Sequence, residues 1–465
     1  MIRRLTILFV AFAFPAFAQD DGDRGFIAGL LEDALGGPGR IVRVEGFSGA
    51  LAATARIERI SIADNRGVWL ELNAVEMTWN RSALLRGRID IDQLRAAEIM
   101  LSRTPEPVEG TLPSAAASGF SLPELPVSVE VAELAADRIV LGAPLLGEPV
   151  ILSLSATVVL SGGEGRVDLN ANRTDGTRGM FQIDGSYANA TQMLSIAMSL
   201  DEAEEGIAAR AMNLPGLPSV TLDLTGEGAL TDFAAELALR TDGTPRLEGQ
   251  MALREMEDNP GARAFDVDHG GDVTALFAPE FRGFIGQDVE LVAQGRREAD
   301  GALTLDQMDL TTKALELRGM VALNREAWPE RFEITGRLAD ATGAAVILPA
   351  GGAQTRVDSA DFDLRFDAAI SNRWEGLFRV NGLDRDDLDI ETITLDGSGT
   401  LMANPGGIGA FNGDLVFESS GLQFSDPALA DAVGDGLQGR IGIRYVEDHP
   451  IDLPTIRLSG EGYSV

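Results

Sequence analysis

Three observations predict an all-β chain, elongated and repetitive, built mostly from antiparallel strands. From residue 39 onward, apolar residues recur at every second position in one stretch after another. Turn tokens such as SGGEG, RTDG, TGEG and MANPGG separate these stretches at the spacing of antiparallel hairpins. The order strand, G-x-G, short joint, Phe, strand, Gly occurs in LDLTGEGALTDFAAELALRTDG (222–243) and loosely again in LDGSGTLMANPGGIGAFNGDLVFESSG (395–421). Repetition of this kind predicts a stack of strands rather than separate closed globules.

The elements follow in order. In MIRRLTILFVAFAFPAFA, Arg3 and Arg4 precede an apolar run from Leu5 to Phe14 and the small-x-small triplet Ala16-Phe17-Ala18. Residues 1–18 therefore read as a secretory signal cleaved after Ala18, with a short membrane anchor as the rival reading. The run falls short of the ~20 residues that span a bilayer as a helix. Residues 19–38 carry Phe26, Ile27, Leu30, Leu31 and Leu35 at helical spacing and stop at Gly36-Gly37-Pro38. They predict a short amphipathic helix that caps the sheet. Residues 39–104 form an N-terminal β module. Residues 105–127, with prolines at 105, 107, 113, 123 and 126, predict a loop or linker dividing it from the rest.

Residues 128–465 are the repetitive β region, in which each strand is wet on one face and apolar on the other. VILSLSATVVLS places Leu152, Leu154 and Val158 on one face, and VTLDLTG does the same for Val220, Leu222 and Leu224. AELALR contributes Leu237 and Leu239, and DFDLRFDA contributes Phe362, Leu364 and Phe366. These are the candidate site residues.

Composition bounds the function. A net charge of −34 argues against nucleic acid, whose phosphates would be repelled, and against docking on anionic lipid through a basic patch. The absence of cysteine excludes disulfides, thiolate metal sites and a cysteine nucleophile. Only His269 and His449 titrate near neutral pH when unperturbed. FDVDHGGD surrounds His269 with Asp266, Asp268 and Asp272, but its glycines and the lack of a second histidine predict an exposed turn rather than a metal site. DRDDLDIE (384–391) fails the calcium-loop pattern at Leu388 and Asp389. GFSG lacks the nucleophile-elbow spacing, and no phosphate loop occurs. The expectation is a protein that is not an enzyme and needs no metal or cofactor.

The apolar face could fill the core of a sandwich. Its Leu, Val and Ala, with only 6% aromatic residues in the chain, suit a smooth extended trough better than keyed packing. Such a trough would exceed the few hundred Å² that soluble monomers expose, and an acyl chain is the expected guest.

GVWLELNAVEMTWNRSALLRGRIDIDQLRAAEI (67–99) resembles the N-terminal part of the TamB family. The likeness rests on Gly67-x-Trp69-Leu70-x-Leu72, Trp79, ALLRGR (83–88) and the IDIDQLRAAEI strand. GFSGAL with ARIERISIAD (46–64), SGFSLPELPVSV, LRGMVALNREAWPERFEITGRL (317–338) and LQFSDPALADAVGDGLQGRIG (422–442) extend it over most of the chain. The resemblance implies a taco-like open β-groove of the AsmA-like bridge proteins, located in the periplasm. It implies phospholipid transfer between inner and outer membranes, an inner-membrane tether at the N-terminus and a TamA-type outer-membrane barrel partner. It departs from the family in its cleavable-looking N-terminus and in lacking the family's C-terminal domain. Two further readings stand beside it: a periplasmic chaperone or scaffold for outer-membrane β-barrel proteins without lipid transport, and a stalk of stacked sandwiches with no cargo.

Overall fold

The computed structural model describes Glu32, Gly37 and residues 39–49, 52–106, 121–122, 127–348, 354–402, 409–446, 449–460 and 463–464. The signal segment lies outside them. So does the amphipathic helix, apart from helical Glu32, whose carboxylate accepts a hydrogen bond from the Val44 amide at 2.7 Å. Strands take up 66% of the chain and helices 8%, so the all-β expectation holds. No described helix is long and apolar enough to cross a membrane. The chain divides into two units after Ala229.

In the first unit, β1 (Ile41–Glu45), β2 (Thr54–Asp64), β3 (Gly67–Asn80) and β4 (Arg88–Leu101) pair antiparallel in sequence order. The next strand, β5 (Ser128–Leu141), pairs with β4 in parallel, Ile91 beside Val131 and Leu101 beside Leu141. Here the hairpin pattern is broken, because residues 102–127 carry the chain back to the end from which β4 started. A parallel neighbour needs a crossover of a dozen residues or more, and the proline-rich segment supplies it. Segment 105–127 thus joins adjacent strands of one unit, while the division between units falls elsewhere. Antiparallel pairing resumes through β6 (Val150–Ser161), β7 (Glu164–Arg173), β8 (Gly179–Ala188), β9 (Met193–Glu202) and β10 (Val220–Ala229). The sheet is open.

The crossover is pinned where it leaves β4. Arg103 grips Asp64 with both terminal nitrogens, at 2.7 and 2.5 Å, and donates to the Gly67 carbonyl at 2.8 Å. The Arg66 and Glu106 amides also donate to Asp64, at 2.8 and 2.9 Å. Chiefly through Arg103, these donors hold the carboxyl far below the usual carboxylate range. Leu122 fixes the far end of the crossover. Its backbone exchanges two 2.8 Å hydrogen bonds with the Asn189 amide, and its side chain lies over Gly165.

The second unit is likewise one open sheet. β11 (Asp232–Thr241), β12 (Thr244–Glu255), β13 (Arg263–Gly271), β14 (Val289–Arg297), β15 (Leu303–Thr311), β16 (Leu315–Leu323) and β17 (Pro329–Ala339) pair antiparallel in order. β17 then pairs with β20 (Ser359–Asp367), followed by β21 (Arg373–Arg385), β22 (Leu388–Met402), β23 (Ala410–Ser420), β25 (Gly436–Val446) and β26 (Asp452–Gly460). Short β18 (Val346–Ile347) pairs with β19 (Thr355–Val357), which prolongs β20 along β21, and β24 (Gln423–Phe424) prolongs β23 along β22. In each unit the α-helical turns lie in connections at one common end of the strands, at 143–146 and 207–211 in the first unit and 279–285 and 427–433 in the second.

Candidate functional site

Residues directly opposite each other on paired strands share a face, so the registers show which side chains lie side by side. In the first unit, Met77, Leu94, Leu134, Ala156, Leu169, Ile183, Met198 and Leu224 form one unbroken row from β3 to β10. The parallel row beside it runs through Val75, Ala96, Ala136, Leu154, Ala171, Phe181, Leu200 and Leu222. Val158 lies opposite Val167 on the same face. Leu152, Leu154, Val158, Leu222 and Leu224 are thus brought together on one surface, half-buried.

The second unit repeats the arrangement. From β11 to β26 a central row runs Ala235, Met251, Val267, Ala293, Met308, Gly319, Ile334, Leu364, Gly376, Gly397, Leu415, Ile441, Ile456. Every position is apolar or glycine. Leu237 and Phe362 belong to the neighbouring row, which also includes Leu291, Leu310, Phe378 and Leu395. Leu239 (6% exposed) and Phe366 (4%) lie on the same face but are buried.

Glycines within these rows serve as floors for rings. A Cβ on Gly336 would overlap the Phe362 ring, one on Gly439 the Phe417 ring, and one on Gly397 or Gly413 the Trp374 indole. Large flat side chains therefore lie across their neighbours' backbones instead of standing up from the sheet. Phe362 and Phe378 stack at 6.1 Å, and Trp374 and Phe411 at 5.2 Å.

Packed clusters bound the face at both strand ends in this unit. At the end away from the α-helical turns, Phe366, Trp374 and Leu401 gather Trp328, Phe332, Phe411 and Leu415. At the other, Val346 and Val357 from the 340–358 connection join Ala314, Phe284, Leu338 and Val380. That connection starts at Asp340, which accepts from the Thr342 hydroxyl at 2.5 Å and the Thr342 amide at 2.8 Å, and meets Lys313 at 3.2 Å. The Thr342 donors, assisted by Lys313, lower the Asp340 pKa from 3.8 to about 2. A depressed carboxyl stabilises the fold above its unfolded pKa, and that contribution disappears as pH falls through the folded value. The window is about pH 4 down to about pH 2. Thr342→Val is expected to raise the Asp340 pKa toward its ordinary value, read by carboxyl NMR; an unmoved titration would exclude the threonine as its main support.

The opposite face is polar. Cross-strand ion pairs join Arg95 to Asp137 at 2.6 Å, Arg254 to Asp266 at 2.8 Å and Arg440 to Asp414 at 2.9 Å. Exposed pairs of this kind add little to stability. Their significance here is that this face meets water. Its hollows, such as the one between Arg318, Thr335, Asp363 and Arg379, are gaps between long side chains.

The polar residues on the apolar face were not foreseen, Arg173, Glu202 and His269 among them. Leu152 lies opposite Arg173, whose side chain is 5% exposed, rests over Gly179 and pairs with Asp175 at 3.0 Å. Val220 (1% exposed) lies opposite Glu202 (2%), which accepts from the Ala208 amide at 2.7 Å and so tethers the helical turn 207–211. Both mark the polar margin of the first unit's face. His269 corrects the expectation of an exposed turn: it lies within β13, half-buried between Gly249 and Leu291, with Nδ1 unpaired. Asp266 and Asp268 alternate onto the other face, away from it. Among the described residues, no group of three His, Asp or Glu side chains could hold a metal ion. Extending the alternation past the last apolar residue in DLNANR, SIAMSLDE and FDVDH would have found all three. No family model, curated protein or solved structure matches this chain.

Proposed function

We propose that the chain is a periplasmic bridge-like protein of the TamB type that carries phospholipid between inner and outer membranes, acyl chains lying on the apolar face. On this reading it also supports outer-membrane protein assembly with a TamA-type barrel partner. The supporting observation is the continuity of the rows: the central row of the second unit crosses from β11 to β26 without one polar side chain. Twelve steps at the usual strand spacing make that row about 60 Å long. About four apolar positions per strand give a width of about 20 Å. The resulting area, on the order of 1,200 Å², exceeds what a water-soluble monomer leaves open without a partner. Greasy tails gain about 0.8 kcal/mol per methylene removed from water, so such a surface attracts them without any catalytic group.

The test is to purify the exported protein without detergent and to identify its bound lipids by mass spectrometry. Several phospholipids per chain are expected. A folded, lipid-free protein would remove the reading. The scaffold alternative would then rest on β26, where Leu453 and Ile456 are 54% and 55% exposed on a strand able to pair with an incoming one.

A further inference from the structure

We infer that the tip of the β3–β4 hairpin is a docking point for the surface of an anionic lipid bilayer. The inference is independent of whether the apolar face carries lipid. Residues Arg81–Arg86 form a 3-10 helix between the two strands. Its geometry is fixed from within: Ala83 is fully buried, and the Asn80 side chain accepts from the Ser82 amide at 3.1 Å and its hydroxyl at 2.7 Å. Gly87, at φ +69°, ends the turn. This frame holds Leu85 outward at 91% exposure, the highest among the exposed large apolar side chains of the described residues. A solitary exposed leucine is ordinary, so its surroundings decide what it is for.

Those surroundings are cationic. Arg81 and Arg86 are exposed, Arg88 is 48% exposed, and no acid occurs between residues 81 and 89. Arg88 pairs with Asp90 at 3.0 Å, and Glu130 lies opposite Asp90 on the adjoining strand. Trp79, whose indole donates to the Ala52 carbonyl at 3.1 Å, stands half-buried at the root of the tip. An apolar point ringed by arginines, with a tryptophan behind it, suits a headgroup layer over hydrocarbon. The net charge of −34, which argues against such docking for the chain as a whole, does not govern a single point of contact. Fields from exposed charges are largely screened beyond about 8–10 Å at physiological salt, so the charge near the point of contact governs approach.

Ile370 is the natural comparison. It is 84% exposed in the β20–β21 turn, but beside Asp367. Because the chain lacks cysteine, Leu85→Cys and Ile370→Cys can each carry one environment-sensitive fluorophore. With phosphatidylcholine vesicles containing phosphatidylglycerol, the probe at 85 is expected to shift to the blue and the probe at 370 to stay unchanged. Pure phosphatidylcholine or high salt should abolish the shift. Arg86→Glu in the labelled chain should weaken vesicle affinity about tenfold or more, with circular dichroism and thermal unfolding unchanged. No shift at 85, an equal shift with neutral vesicles, or an Arg86→Glu chain that binds as before would each overturn the inference. Lipid counts from the detergent-free preparation are a separate readout, so the two proposals can fail independently.

Discussion

Trp374→Ala is expected to lower the unfolding free energy of the second unit by about 3–5 kcal/mol, the range for removing a large buried ring. The indole is 5% exposed, stacks on Phe411 and donates from Nε1 to the Asn412 carbonyl at 3.0 Å. It also covers Gly397 and Gly413, which have no side chains to move into the space it would vacate. The hole cannot close from below, so the cost should fall at the upper end of the range. Urea unfolding followed by circular dichroism measures it. A loss below about 1 kcal/mol would mean that the ring is not what fills that end of the face.

Leu364→Asp is expected to have the largest effect on cargo. Leu364 lies between Ile334 and Gly376 in the central row, with its branch over the glycine. A carboxylate there would have to be desolvated by any acyl chain that covered it, so bound phospholipid should fall about tenfold or more. Asp363→Asn, one residue away on the polar face, should leave loading unchanged. Circular dichroism checks that both variants fold. A folded Leu364→Asp protein with undiminished lipid would take Leu364 off the path.

Much of the strand pattern was legible because half-buried strands write a period of two into the sequence. DFDLRFDA and VILSLSATVVLS could be read directly, and the side chains so identified share faces in the structure. Strand direction was not legible, since the same alternation serves a parallel neighbour as well as an antiparallel one; hence β4 beside β5 came from the structure alone. The placement of His269, Arg173 and Glu202 on the apolar face was not legible for a different reason. Each continues an apolar alternation with a polar residue, where the periodic signal ends. Gly336, Gly397 and Gly413 carried no readable signal either: they lie mid-strand where a ring needs a bare backbone.

The parallel join between β4 and β5 also sets a parity. After it, β5 and β9 both end on the side where β4 ends, so the 143–146 and 207–211 helical turns emerge on that side. Replacing the crossover with a two-residue turn would reverse β5 and every later strand of the unit. The helical turns would then move to the opposite margin, together with Glu202, which tethers one of them. Length can therefore be added or removed here only in whole hairpins, two strands at a time, if the margins are to keep their identities.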